Sequence, residues 1–129
     1  GIETYESLCQ LFGLSPSFDR PKAIELTSEL TRKNSEQNFD ILISMLNIFI
    51  NRLALTGAGA PPQVEVVQSE FNILNKLSPN LSSAKSWSEL GQNILNNAIK
   101  AKTVNLEPSS VILDLFLKFD NIISKIHNK

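Results

Sequence analysis

The chain has 129 residues, 42% of them apolar, and a formal net charge of −1 spread along its length. That is material for one domain with a single hydrophobic core, not two. No basic block offers a face for nucleic acid or an anionic membrane, and no acidic tail is present. The single cysteine, Cys9, excludes an internal disulfide and a cysteine-based zinc site. It reads as a small buried residue on the first helix, and a reducing, cytoplasmic setting is the default. The start "GIETYESLCQLF" lacks the basic and long apolar segments of a secretory signal.

The apolar spacing is helical throughout, with no alternation typical of strands. A first helix is expected over about 3–13, with Ile2, Tyr5, Leu8 and Phe12 near one face and Gly13 at its end. A second is expected over about 20–33. Pro21 suits its first turn, and Ala23, Ile24, Leu26 and Leu30 supply an apolar face. A third runs over about 36–55, capped by Ser35. "TGAGAPP" (56–62) then breaks the chain as an internal loop, since two glycines and two prolines cannot continue a helix.

A fourth helix is expected over about 63–77, weakened by the β-branched Val64, Val66 and Val67 but carrying Phe71, Leu74 and Leu77 at helical spacing. "SPNLSS" (78–83) reads as a loop. A fifth helix spans about 85–103, with Trp87, Leu90, Ile94, Ala98 and Ala101 on one stripe. The sixth covers 107–123, "EPSSVILDLFLKFDNII". The expected fold is therefore all-α, a compact bundle of five to six helices forming a single domain over 1–129.

The third and sixth helices are too apolar for simple surface helices. On the sixth, Asp114, Lys118, Asn121 and Lys125 fall within ~60° of one another, and apolar side chains fill most of the remaining arc. On the third, Asp40, Ser44, Asn47 and Asn51 form a similar narrow strip, with Arg52 as the one polar intruder elsewhere. Either the two helices pair at the bundle's centre, or one of them also meets another chain. The stretch 39–55 is near membrane-spanning length, but it carries Asp40, Asn47, Asn51 and Arg52. The stretch 111–123 is shorter than the roughly 18–20 residues needed. Both read as helices of a soluble protein.

Little in the chain suggests chemistry. "GAGAPP" lacks the Lys-Ser/Thr of a phosphate-binding loop and has no strand before it. His127 is the only histidine and stands near the end of the chain, a poor place for a general base. Glu25 with Glu29, and Glu65 with Glu70, read as solvated helix faces. Trp87 reads as core. No catalytic residue, cofactor site or metal site is expected. Interaction with other proteins is the default, and Phe39, Leu42, Leu46, Phe49, Trp87, Leu113, Phe116 and Leu117 are the candidate core or subunit interface.

The segment "KSWSELGQNILNNAIKAKTVNLEPSSVILDLFLKF" (85–119) resembles the C-terminal part of bacterial DNA polymerase III delta-prime subunits, alphaproteobacterial ones most of all. Trp87 opening one helix, the Asn105-Leu106 link, the acid–proline step Glu107-Pro108 and the apolar helix after it carry the likeness. "NFDILISMLNIFINRLA" (38–54) is similar to the apolar helix preceding these in that family. Glu107 departs from the more usual aspartate, a better N-cap. Leu106 and Val111 can still form a hydrophobic staple across the helix start.

The resemblance implies a clamp-loader collar-type domain from the C-terminal part of a longer chain, which holds subunits in the ring that loads the sliding clamp during DNA replication. It implies partners in the gamma/tau and delta subunits, through their own C-terminal domains. It implies no catalysis, no cofactor, no small-molecule substrate, no membrane and no direct nucleic-acid contact. Two other readings stand beside it: a free-standing adaptor that takes an amphipathic helix in a groove, and a small-molecule-binding bundle with convergent polar groups.

Overall fold

The computed structural model describes residues 2–13, 21, 25, 28, 35–103 and 107–127. All regular structure among them is helical: α1 (Ile2–Gly13), α2 (Ser35–Gly57), α3 (Glu70–Leu77), α4 (Leu81–Thr103) and α5 (Pro108–His127). The all-α bundle expected from the periodicity is the fold observed. The helix expected over 20–33 falls almost wholly outside the described residues, although Pro21, Glu25 and Ser28 are helical and exposed. Leu106, with its expected staple, and the side chains of Ile2, Ser35, Ala101 and His127 also lie outside them.

The helix ends follow local chemistry. α2 closes in a Schellman motif: the Ala60 N–H donates to the Leu55 carbonyl at 3.0 Å and the Gly59 N–H to the Thr56 carbonyl at 3.2 Å. Gly59 takes the left-handed conformation that this motif needs, at φ 86°. Pro61 and Pro62 follow, so the break expected at 56–62 is where the helix stops.

α4 begins at Leu81, earlier than the 85 suggested by its apolar stripe. The reason is a reciprocal capping box. The Ser83 N–H donates to Asn80 Oδ1 at 2.9 Å, and the Asn80 N–H donates to Ser83 Oγ at 3.1 Å. α5 begins at Pro108, and the Glu107 carbonyl accepts from the Val111 N–H at 3.4 Å, so Glu107 holds the N-cap position.

α3 is half the expected length. Only Glu70–Leu77 is helical, and 63–69 is irregular, with Ser69 left-handed at φ 69°. The three valines favour extended backbone. Two of this segment's backbone groups bond side chains instead of a helical ladder: the Val64 carbonyl accepts from Arg52 and the Val66 N–H donates to Glu70.

α2 and α4 make the most extensive helix pair. They run antiparallel. Gly57 lies against Ala84, and Gly91 lies against Ile50, so one number falls as the other rises. A Cβ on Gly91 would sit 3.2 Å from Ile50 Cγ2, so the Ile50 side chain packs directly on the α4 backbone there. Gly57 is tighter still: an added Cβ would meet the Asn80 carbonyl oxygen at 2.6 Å.

α5 packs mainly on α4 and touches α2 lightly. The pairing of the third and sixth predicted helices at the centre is therefore replaced by an α2–α4 pair with α5 alongside. Neither apolar helix is fully enclosed, since Ile48 and Leu55 of α2 and Leu113 and Leu117 of α5 are exposed.

The core is aromatic at its centre. Phe12 stacks on Phe119 with ring centroids 4.4 Å apart and on Phe49 at 5.8 Å, and Trp87 tilts against Phe119 at 5.2 Å. One ring cluster thus joins α1, α2, α4 and α5. The Trp87 indole N–H donates to the Leu77 carbonyl at 2.9 Å, satisfying both a buried donor and an orphan acceptor at the end of α3.

Candidate functional site

Among the described residues, two locations stand out, one inside and one outside. The inner one centres on Glu70, the first residue of α3, whose side chain is fully buried. Arg52 reaches it from α2 as a fork: Nε–H donates to Oε2 and Nη2–H to Oε1, both at 2.7 Å. Tyr5 on α1 donates its hydroxyl to Oε2. The Val66 N–H donates to Oε1 at 2.8 Å. Arg52 Nη2 also donates to the Val64 carbonyl at 2.6 Å. Nearby, Glu65 Oε1 accepts from the Phe71 N–H at 3.0 Å, capping α3 where Ser69 makes no side-chain cap.

The electrostatics follow from this enclosure. Burial alone would raise the Glu70 carboxyl. The hydrogen bonds from Arg52, Tyr5 and Val66 outweigh it and hold Glu70 below the usual carboxylate range. Its bond to Glu70 raises Arg52 above its ordinary value against the opposing effect of burial. Burial, then the bond to Glu70, drives the Tyr5 phenol far upward. Burial also pushes the Cys9 thiol up to about 12, so Cys9 is the buried, unreactive thiol expected from its position.

Such a node holds structure together. Each carboxylate oxygen of Glu70 already accepts two hydrogen bonds. A carboxylate with its acceptor sites filled has no lone pair left for a substrate or a metal. Among the described residues, no three His, Cys, Asp or Glu side chains gather as a metal ion would require.

The solvated-face reading of Glu70 is thereby corrected. It is the most enclosed charge described, because Arg52, 18 residues away, stands on the apolar side of α2 and needs a partner there. That lone arginine on an otherwise apolar arc was the signal available in the sequence. Glu25, by contrast, is exposed.

The outer location is the solvent side of α5. Of the candidate core or interface residues, Phe39, Leu42, Leu46, Phe49, Trp87 and Phe116 are all buried in one core. Leu113 and Leu117 are not. They are 38% and 58% exposed, one turn apart on the face away from the core, beside an Asp114–Lys118 ion pair of 3.0 Å. Asn97, Lys100, Glu107, Ser110, Val111 and Asp114 line an open groove of about 540 Å³ between α4 and α5. Its lining mixes both signs of charge.

α2 is long and apolar enough over Gln37–Gly57 to cross a membrane by length and composition. Its Leu42, Leu46, Phe49 and Leu53 stripe is nevertheless fully buried in the bundle, and its Arg52 is paired with Glu70. That is the arrangement of a core helix. Compared with known protein families, with curated proteins and with solved structures, the chain matches none.

Proposed function

We propose that this chain is a non-catalytic oligomerisation domain of the kind that delta-prime subunits contribute to the collar of the bacterial clamp loader. In this reading it holds subunits in the ring that loads the sliding clamp, in the cytoplasm. Its partners are the C-terminal domains of the gamma/tau and delta subunits. The observation that carries the reading is the outward placement of Leu113 and Leu117. They lie inside the segment that resembles the family, on a helix whose other face is fully used by the core. An exposed apolar pair on a rigid helix suits a helix-on-helix contact between subunits.

The test is direct. The chain is mixed with the gamma/tau and delta C-terminal domains, and the mass of the eluting species is read by light scattering during size exclusion. A stoichiometric complex is expected, and Leu117→Asp should abolish it while leaving the helical circular dichroism unchanged. Failure of the chain to join the loader's other subunits, in domains or intact, would overturn the reading.

A further inference from the structure

Residues 60–69, between α2 and α3, are held to the body differently from any other described segment. Eight of the ten are exposed, Val64 and Val66 among them, and only Pro62 and Val67 are half-buried. Apolar burial therefore comes chiefly from Val67, which packs against the core at the segment's α3 end. Beneath the Pro61–Pro62 corner lies a hollow of about 180 Å³ bounded by Thr56, Phe71 and Leu74, so packing there is incomplete. The polar contacts that fasten the segment are Arg52 on the Val64 carbonyl, Glu70 on the Val66 N–H and Glu65 on the Phe71 N–H at the start of α3. The first two come from one ion pair, the fork between Arg52 and Glu70.

We propose that residues 60–69 form a strap closed by a single charged buckle, Arg52–Glu70, and that the strap opens on its own, ahead of the helical body, when the buckle loses its charge. The body has its own independent hold in the aromatic cluster of Phe12, Phe49, Trp87 and Phe119. Segments with few buried contacts and a small number of fastening bonds are the ones that open locally. Opening would remove the proline wall of the hollow and bare the side of α3 that carries Phe71 and Leu74. The titratable and charged groups around the buckle are Tyr5, Cys9 and, at the rim, Glu6 on α1, with Arg52 on α2 and Glu65 in the strap. Tyr5 and Cys9 are held neutral across the acid range, so among the side chains bonded in the buckle only Glu70 changes charge in acid.

The experiment is backbone amide hydrogen exchange on the full chain at neutral pH, residue by residue, for the wild type and for Glu70→Gln and Arg52→Lys. Glu70→Gln keeps the shape and removes the charge. Arg52→Lys keeps the charge and removes the fork. Both variants should accelerate exchange at Val66 by roughly tenfold or more beyond any acceleration at the amides of α4 around Trp87 and Leu90. Equal acceleration in the strap and in α4, or none in the strap, would overturn the proposal. Should neither variant fold, acid titration of the wild type decides. Protection at Val66, corrected for intrinsic exchange, is expected to vanish at a higher pH than the near-ultraviolet circular dichroism of the aromatic core. Coincident loss would overturn it.

Discussion

Two ion pairs of this molecule have similar lengths and unlike consequences. Arg52–Glu70 closes at 2.7 Å and Lys118–Asp114 at 3.0 Å. The first joins α2 to α3 across 18 residues, with the acid fully buried and every carboxylate acceptor site used. The second joins two residues one turn apart on α5, with both side chains more than a third exposed. Water competes for the second and salt screens it, whereas neither reaches the carboxylate of the first. The lesson is that distance ranks these pairs poorly. What ranks them is the cost of leaving one partner alone.

The largest expected effect comes from leaving the buried Glu70 carboxylate without its ion-pair partner. Arg52→Ala should cost about 3–5 kcal/mol of unfolding free energy, measured by urea denaturation. A loss below about 1 kcal/mol would place the two pairs in the same class and break the comparison.

Acid should reproduce part of this loss without a mutation. Glu70 has a folded pKa below its unfolded one, so its contribution is present above the ordinary glutamate value and disappears as the pH falls through the folded value. The alkaline side works in the opposite sense. Cys9 is raised from 9.0 to about 12, so its contribution is full below about 9 and lost as the pH rises from there to about 12. Thermal midpoints against pH should therefore fall on both sides of neutrality. Cys9→Ala should make the alkaline limb shallower, with the raised Tyr5 supplying the rest, and leave the acid limb alone.

Tyr5→Phe removes one of the four hydrogen bonds to Glu70 and leaves the ion pair. A loss of about 1 kcal/mol is expected, again by urea denaturation. The smallest effect should come from the surface pair. Asp114→Asn should cost about 0.5 kcal/mol or less, and added salt should erase the difference from the wild type. A loss as large as that of Tyr5→Phe would show that the outer face of α5 is more tightly organised than its exposure implies. Leu117→Ala, on the same face, should change stability by less than about 0.5 kcal/mol, as a thermal melt would record.

Much of the fold was legible because it is written locally. The end of α2 follows from the glycines and prolines of 56–62, and the start of α5 from Glu107-Pro108. The core stripe of α4 was readable from Trp87, Leu90, Ile94 and Ala98, all of them buried. The misplaced boundaries were local too. Asn80 and Ser83 have the composition of a loop, and their reciprocal bonds make them the start of α4. The helical spacing of Phe71, Leu74 and Leu77 was extended backward through three valines that the structure assigns to an irregular segment.

The sequence by itself determined an all-helical chain, the break after α2 and the identity of most core residues, because periodicity and capping depend on neighbours within a turn or two. Only the tertiary structure decided that α2 pairs with α4, that Leu113 and Leu117 face outward, and that Glu70 is a buried partner of Arg52 and Tyr5. Those outcomes join positions 18 to 65 residues apart, and no helical wheel records which face a distant element will cover. A charge on an apolar arc signals that a partner must exist. The packing of α1, α2 and α3 settles which residue it is.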